Sequence, residues 1–258
     1  MGSVKNINAL IRNNLDSVNP VESINSLTEN QEVIKEVQEV LDNPKKMDFQ
    51  REIDNTRMLN PLKVDRVTLP DTKFPLSRPV TLNKETFYDQ GDSGTCLVWA
   101  LVNSLTSLGF KIDAQSLIAM LGVAINGGVK KIETFNAKSL IKEDSDTLTE
   151  DHEFLSLSRV PEDSSNYKEE IQANGQQIKN VIDAKGSLFM GVHTALLYKD
   201  DPDYDIGGPH AISVVGYRIG RGNQMDVHII DSNLGSMWVP LETLSNSILT
   251  KQRVFYRE

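Results

Sequence analysis

Cysteine is almost missing from this chain: Cys96 is the only one in 258 residues. One thiol cannot close an intramolecular disulfide or supply a two-cysteine metal site. Basic residues are in deficit, 27 Lys and Arg against 36 Asp and Glu, for a formal charge of −9. No basic cluster interrupts that balance. Nucleic-acid binding is not expected as a main function, because it draws on phosphate neutralisation. No apolar run approaches the ~20 residues needed to cross a bilayer, so no membrane partner is expected. The first residues, Met1-Gly2-Ser3-Val4-Lys5-Asn6, are too polar for a signal peptide and lack the hydroxyl residue that N-myristoylation wants at the sixth position. The expected setting is cytoplasmic or another reducing compartment, although export without a cleaved signal would leave the same sequence. What is present is a hydrophobic content of 39%, enough for a sizeable core.

Glycine is unevenly spread, and its gap marks a boundary. None falls between Gly2 and Gly91, whereas the rest of the chain carries fifteen of the sixteen. Ile7, Leu10, Ile11 and Leu15 predict a short amphipathic helix over 5–16, ending near Pro20. Thr28-Glu29-Asn30-Gln31 fits a capping box, followed by one apolar stripe of Val33, Ile34, Val37, Val40 and Leu41. From Pro44 to Pro79 five prolines suggest an extended strap. The expected division is an N-terminal extension, residues 1–75, and a main domain, residues 76–258. The extension is open to three readings: a propeptide lying in its own cleft, an accessory subdomain, or an arm that binds a partner.

Beyond residue 96 the pattern is helical first and β second. Cys96 to Leu108 is apolar at helical spacing. Asp113 is placed to cap a second helix running to about Met120. Residues 142–171 are acidic and polar, read as a solvated region. A helix around Gln176–Ala184 precedes three β-branched strand candidates, Leu188–Val192, His210–Tyr217 and Val227–Asp231. This predicts an α+β chain whose two halves face each other across a cleft.

The chemistry centres on Cys96. It follows Gln90-Gly91-Asp92-Ser93-Gly94-Thr95 and opens an apolar helix, where the helix dipole and free N–H groups favour a thiolate. A lone free cysteine is most often a small buried hydrophobe, but the glycine-rich approach favours a nucleophile. Gln90, six residues upstream, carries an amide able to donate a hydrogen bond. A thiol nucleophile needs a base, and the base needs a third group to orient it. His210 opens a strand after Gly207-Gly208-Pro209. If that strand and the next form a hairpin through Gly220–Gly222, Asp231 comes near His210. His193, which also ends a strand, is a rival base. His228 alternates with Val227 and Ile229 as a core residue would, and His152 lies in the acidic stretch.

At this point the chain resembles the papain-like cysteine peptidases. Their Gln-Gly-x-x-Gly-x-Cys signature opening a helix corresponds to Gln90–Cys96. Their Asn-Gly-Gly corresponds to Asn126-Gly127-Gly128, and their His-Ala-hydrophobic-x-Val-Gly-Tyr to His210–Tyr217 with one additional residue. The resemblance spans about residues 75–245. It departs where Leu97 replaces the family's usual Trp and Ser93 the usual cysteine. It departs again where Asp231-Ser232-Asn233-Leu234-Gly235 replaces Asn followed by Ser-Trp-Gly. An Asp orienter is similar instead to double-glycine leader peptidases and some bacterial effector peptidases of the same broad fold.

The resemblance implies a papain-like fold, a helical subdomain facing an antiparallel β subdomain across the active-site cleft. It implies hydrolysis of peptide bonds in a peptide or protein substrate, with no cofactor and no metal. Cys96 would be the nucleophile, His210 its base and Asp231 the orienter, with the Gln90 amide and the Cys96 N–H as the oxyanion hole. Gly127 and Gly128 would line the edge taken by an extended substrate, and Trp238 would shield the His210–Asp231 pair. Two other functions remain open on the sequence: a transglutaminase, deamidase or other acyltransferase using the same three groups, and a non-catalytic binding scaffold.

Overall fold

The computed structural model describes residues 4–15, 20–47, 51–52, 80–82, 86–90, 94–127, 136–151, 155–199, 207–220 and 224–258. Expectations resting on Gly91, Ser93, Gly128, His152 and most of the strap lie outside these residues. Three helices come first: α1 (Val4–Leu15), α2 (Pro20–Glu29) and α3 (Gln31–Asp42). The sequence reading missed α2, although Pro20 at its first position is a helix-start signal. The capping box is shifted too. Thr28 lies inside α2 and donates to the carbonyl of Asn25, while Asn30 caps α3 by accepting from the N–H groups of Glu32 and Val33. Asn can occupy the non-helical cap position between two abutting helices and still satisfy the orphan donors of the second.

Short strands follow: β1 (Lys45–Lys46), β2 (Arg51–Glu52), β3 (Val80–Thr81) and β4 (Thr86–Phe87). The apolar helices are α4 (Cys96–Ser107) and α5 (Ala114–Ile125), the latter capped by Asp113 accepting from the Ser116 N–H. Strand β5 (Leu148–Asp151) leads to α6 (Tyr167–Asp183), which is longer than predicted and carries Glu169 and Glu170 in its first turn, where the helix dipole favours them. The remainder is β6 (Ser187–His193), the four-residue α7 (Thr194–Leu197), β7 (Pro209–Ile219), β8 (Met225–Asp231), β9 (Gly235–Pro240), α8 (Leu241–Ser247) and β10 (Ile248–Arg257).

The chain is thus α+β. Its main sheet runs β2-β9-β8-β7-β6-β10-β5, antiparallel except where β2 joins β9 in parallel, and β3 pairs with the far end of β7. The expected hairpin forms, with Ile212 opposite Asp231. The main sheet is packed on both faces, and two apolar clusters result. One packs α1, α2 and α3 around α5 and α4 and reaches Phe189 and Ala211 on the sheet. The other lies between the sheet and α6 and α8, through residues such as Ile178, Val214 and Leu244. Residues 4–42 therefore belong to the first core: Ile7, Ile11 and Val37 are wholly buried in it. No helix among the described residues is long and apolar enough to cross a membrane.

Candidate active site

Cys96 is the first residue of α4 and half-buried. Its position follows from local geometry. Gly94 takes a left-handed φ of 63°, with open space where a side chain would be, and turns the chain into the helix. The carbonyl of Thr95 accepts from the N–H groups of Val98 and Trp99, so helical bonding begins there. The Cys96 N–H belongs to the first turn, whose donors have no intrahelical acceptor. Behind it Val98, Trp99 and Ala100 are fully buried, and Trp99 stacks on Tyr88 with ring centroids 6.1 Å apart. Burying such side chains stabilises by about 1.5–3 kcal/mol each, which anchors the thiol's end of the helix.

The candidate base comes from the sheet. His210 is the second residue of β7 and is buried. The segment before it is held by Thr194. The Gly208 N–H donates to Thr194 Oγ1 at 2.9 Å, and the Thr194 N–H donates back to the Gly208 carbonyl at 3.0 Å. His210 Nε2 lies 3.0 Å from Asp231 Oδ2, an ion-pair distance with the N–H bent off the line to the oxygen. Cys96 lies close enough to the ring to raise its pKa. Since Nε2 faces the carboxylate, Nδ1 is the nitrogen left to exchange a proton with sulfur.

Electrostatics favour a charged ring. Burial is the largest single influence and pulls the His210 pKa down, but Asp231 and Cys96 together outweigh it and raise the value to about 10. Asp231 is wholly buried, which pushes its carboxyl up. His210, the Tyr198 hydroxyl and the Asn233 N–H overcome that and hold it below the usual range. Tyr198 donates to Oδ2 at 2.6 Å, and the N–H groups of Asn233 and Leu234 reach Oδ1 at 2.7 and 3.3 Å. The carboxylate is thus solvated by protein instead of water.

Gln90 is tied to the same strand end. Its N–H donates to the Ser232 carbonyl at 2.8 Å, and the Ser232 hydroxyl donates to Gln90 Oε1 at 2.6 Å. With Oε1 accepting, Nε2 is the donor end of the amide. Gln90 is therefore tied to Ser232, the neighbour of Asp231, while Asp231 faces His210 and His210 interacts with Cys96. This arrangement can hold a thiolate–imidazolium pair and offer N–H donors to a developing oxyanion.

The other residues singled out in the sequence are placed elsewhere. His193 ends β6 opposite Pro209, and its Nδ1 is buried with no hydrogen-bond partner among the described residues. His228 is fully buried against Trp238, with rings 4.6 Å apart, and contacts Ser236 through Nε2. Trp238 also lies beneath the Arg218 guanidinium at 4.7 Å. It pairs with His228, three residues along β8 from Asp231, so these ring contacts are not those of a shield over His210. Gly127 has φ 75° at the C-terminus of α5, where its N–H donates to the Ala124 carbonyl. A helix stop accounts for that glycine as it stands.

Three contributors escaped the sequence reading. Tyr198 carries no local signal, because its link to Asp231 spans 33 positions. Ser232 lies in Asp-Ser-Asn after a strand, a sequence that by itself signals only a turn. Asn8 had a signal: it is a polar residue beside Ile7 and Ile11 on the apolar face of α1, and it is buried. No group of three or more His, Cys, Asp or Glu side chains suited to a metal occurs among the described residues. Compared with known protein families and with curated proteins, the chain matches none.

Proposed function

We propose that the chain is a cysteine peptidase of papain-like fold, with residues 76–258 as its peptidase domain. The observation that carries the reading is the buried His210 ring, 3.0 Å from the fully buried Asp231 and interacting with a half-buried Cys96 at a helix N-terminus. In this reading the Cys96 thiolate attacks the substrate carbonyl carbon. The carbonyl oxygen becomes an oxyanion facing the Gln90 Nε2 and the Cys96 N–H. His210 then gives a proton to the leaving amine as the C–N bond breaks, forming a thioester. Water, deprotonated by His210, attacks that thioester and releases the acid and the thiolate. Asp231 holds the ring in the tautomer that puts a proton on Nε2. Gly127 and Gly128 are assigned to the substrate edge.

The test uses fluorescently labelled casein, with and without an added primary amine. Backbone fragments formed by the wild-type chain and lost in Cys96→Ala are the expected result. Amine incorporation or ammonia release without backbone cleavage would replace this reading with acyl transfer to side chains. Full turnover by Cys96→Ala would end both.

A further inference from the structure

The last residues before the glycine turn, Tyr88, Asp89 and Gln90, lead from the first core, which holds Tyr88, to Ser232 at the end of β8. Each is held by a different residue of the N-terminal segment. The Asn8 side chain on α1 donates from Nδ2 to the Gln90 carbonyl at 3.0 Å. The Tyr88 hydroxyl donates to the Leu41 carbonyl at the end of α3 at 2.7 Å. Lys45 on β1 forms an ion pair with Asp89, and β1 pairs with β4 immediately upstream. Asn103 of α4 completes the hold by bonding both backbone groups of Tyr88, at 2.8 and 3.1 Å.

Asn8 is the informative member. It is 4% exposed on a helix face otherwise given to Ile7, Ile11 and Leu15, and its own Oδ1 finds no hydrogen-bond partner among the described residues. A buried amide with one end unsatisfied is less stable there than an apolar side chain of similar size. A purely structural α1 would carry such a side chain. The one side-chain hydrogen bond Asn8 makes among the described residues is to the residue whose amide faces the oxyanion in the function proposed above.

We infer that the N-terminal helices are a built-in positioning element for the oxyanion hole, with Asn8 the positioning residue that sets the Gln90 backbone. This rests on the peptidase reading, and it assigns residues 4–46 a permanent role in the active enzyme, in place of a prosegment removed to activate it. Gln90 is then fixed from both sides, by Ser232 of the β layer and by Asn8 of the helical layer. Misplacing an oxyanion donor by about 1 Å is enough to lower a rate on the order of a hundredfold.

The inference is tested on the full-length chain by comparing two reactions of Cys96. Acylation by p-nitrophenyl acetate passes through a tetrahedral oxyanion before p-nitrophenolate leaves. Alkylation by iodoacetamide displaces iodide at a saturated carbon and forms no oxyanion. Gln90→Ala is expected to slow acylation by on the order of 10²–10³ while leaving alkylation unchanged. Asn8→Ala is expected to slow acylation roughly tenfold, with alkylation within a factor of two of wild type. Tyr88→Phe, which keeps the packed ring and loses only the hydroxyl, is expected to act in the same direction and carries the test alone if Asn8→Ala does not fold. Unchanged acylation in a folded Asn8→Ala or, failing that, in Tyr88→Phe overturns the inference. So does an equal fall in both reactions, which marks general disruption. A Gln90→Ala variant that acylates like wild type overturns the oxyanion assignment itself, and this inference with it.

Discussion

Replacing Asp231 by Asn isolates the charge of the buried carboxylate while keeping its shape. In the wild type Oδ1 accepts from the Asn233 and Leu234 N–H groups, and an Asn oxygen can retain both bonds. Oδ2 accepts from Tyr198 and faces His210 Nε2. In the variant an NH₂ group takes its place, so donors meet donors. The His210 ring is expected to respond by losing its Nε2 proton and carrying its hydrogen on Nδ1, facing the sulfur. That is the wrong tautomer for a base, and the expected loss in acyl transfer is on the order of 10³–10⁴. Two charge-assisted contacts are lost, each worth about 1.5–3 kcal/mol, and the relief of a buried charge returns part of that. A net destabilisation of about 3 kcal/mol near pH 6 follows.

The pH dependence separates this account from a simple loss of packing. The folded His210 pKa is raised from 6.5 to about 10, so its contribution to stability is complete below pH 6.5 and is lost as pH rises toward 10. One such proton changes stability by at most about 1.4 kcal/mol per pH unit. Asp231 acts in a separate window: its depressed pKa contributes above about pH 3.8 and is lost as pH falls below that. In Asp231→Asn the carboxylate no longer raises the His210 pKa and burial is opposed by Cys96 alone, so the pKa falls and the stability linked to that proton shrinks. Urea denaturation of both proteins from pH 5 to 10 measures the difference. It should be largest near pH 5–6 and shrink toward pH 10. A difference that stays flat across that range would refute the linked proton and the charged-pair argument together.

Three further outcomes are expected. Tyr198→Phe removes a donor to Asp231 Oδ2. It should raise the carboxyl pKa and slow acylation several-fold, and unchanged acylation would count against Tyr198 as a positioning group. Ile11→Ala opens a void in the core shared by α1 and α5 and should cost about 2–5 kcal/mol in a single cooperative transition. Separate early melting of the N-terminal helices by circular dichroism would contradict one shared core. Ser213→Ala leaves the Ala100 carbonyl without the hydroxyl that now donates to it at 2.7 Å. It should lower stability by about 1–3 kcal/mol, read as a shift in denaturation midpoint, and no shift would show that the carbonyl finds another donor.

The residues that were legible in the sequence are those whose signal is local. Apolar periodicity located α1, α3, α4 and the strands at 188–192, 210–217 and 227–231, because burial on one face imposes its period on neighbours three, four or two positions apart. The Gly94 turn and Asp113 cap were legible for the same reason. The second half of the sheet was not. β9 and β10 were passed over, and β10 reads Ile248-Leu249-Thr250-Lys251-Gln252-Arg253-Val254, with no sustained alternation. Its place between β6 and β5 is set by long-range pairing. The site followed the same division. Cys96, His210 and Asp231 carried turn and strand-end signals, whereas Tyr198 and Asn8 act through bonds spanning 33 and 82 positions that no window can contain.

That division bears on how the site is assembled. Cys96 rides on a helix of the first core, while His210 and Asp231 sit on strands that send Ile212, Val214, Val227 and Ile229 into the second. An apolar helix packed on an apolar sheet gains little from any one position along its axis, since dispersion and burial are nondirectional. Direction comes from polar groups in the seam. Ser213 on β7 donates to the Ala100 carbonyl, Ser187 on β6 donates to the Ser104 carbonyl at 3.0 Å, and Ser104 donates to the Leu188 carbonyl at 3.3 Å. All three serines are fully buried. Sliding α4 by one residue, about 1.5 Å, would break these bonds in a water-free layer, each at about 1–3 kcal/mol, and would carry the sulfur away from His210 by a similar distance. The serines therefore do for Cys96 what Asn8 and Ser232 do for Gln90. Buried hydrogen bonds across the seam turn an interface indifferent to register into one with a single setting.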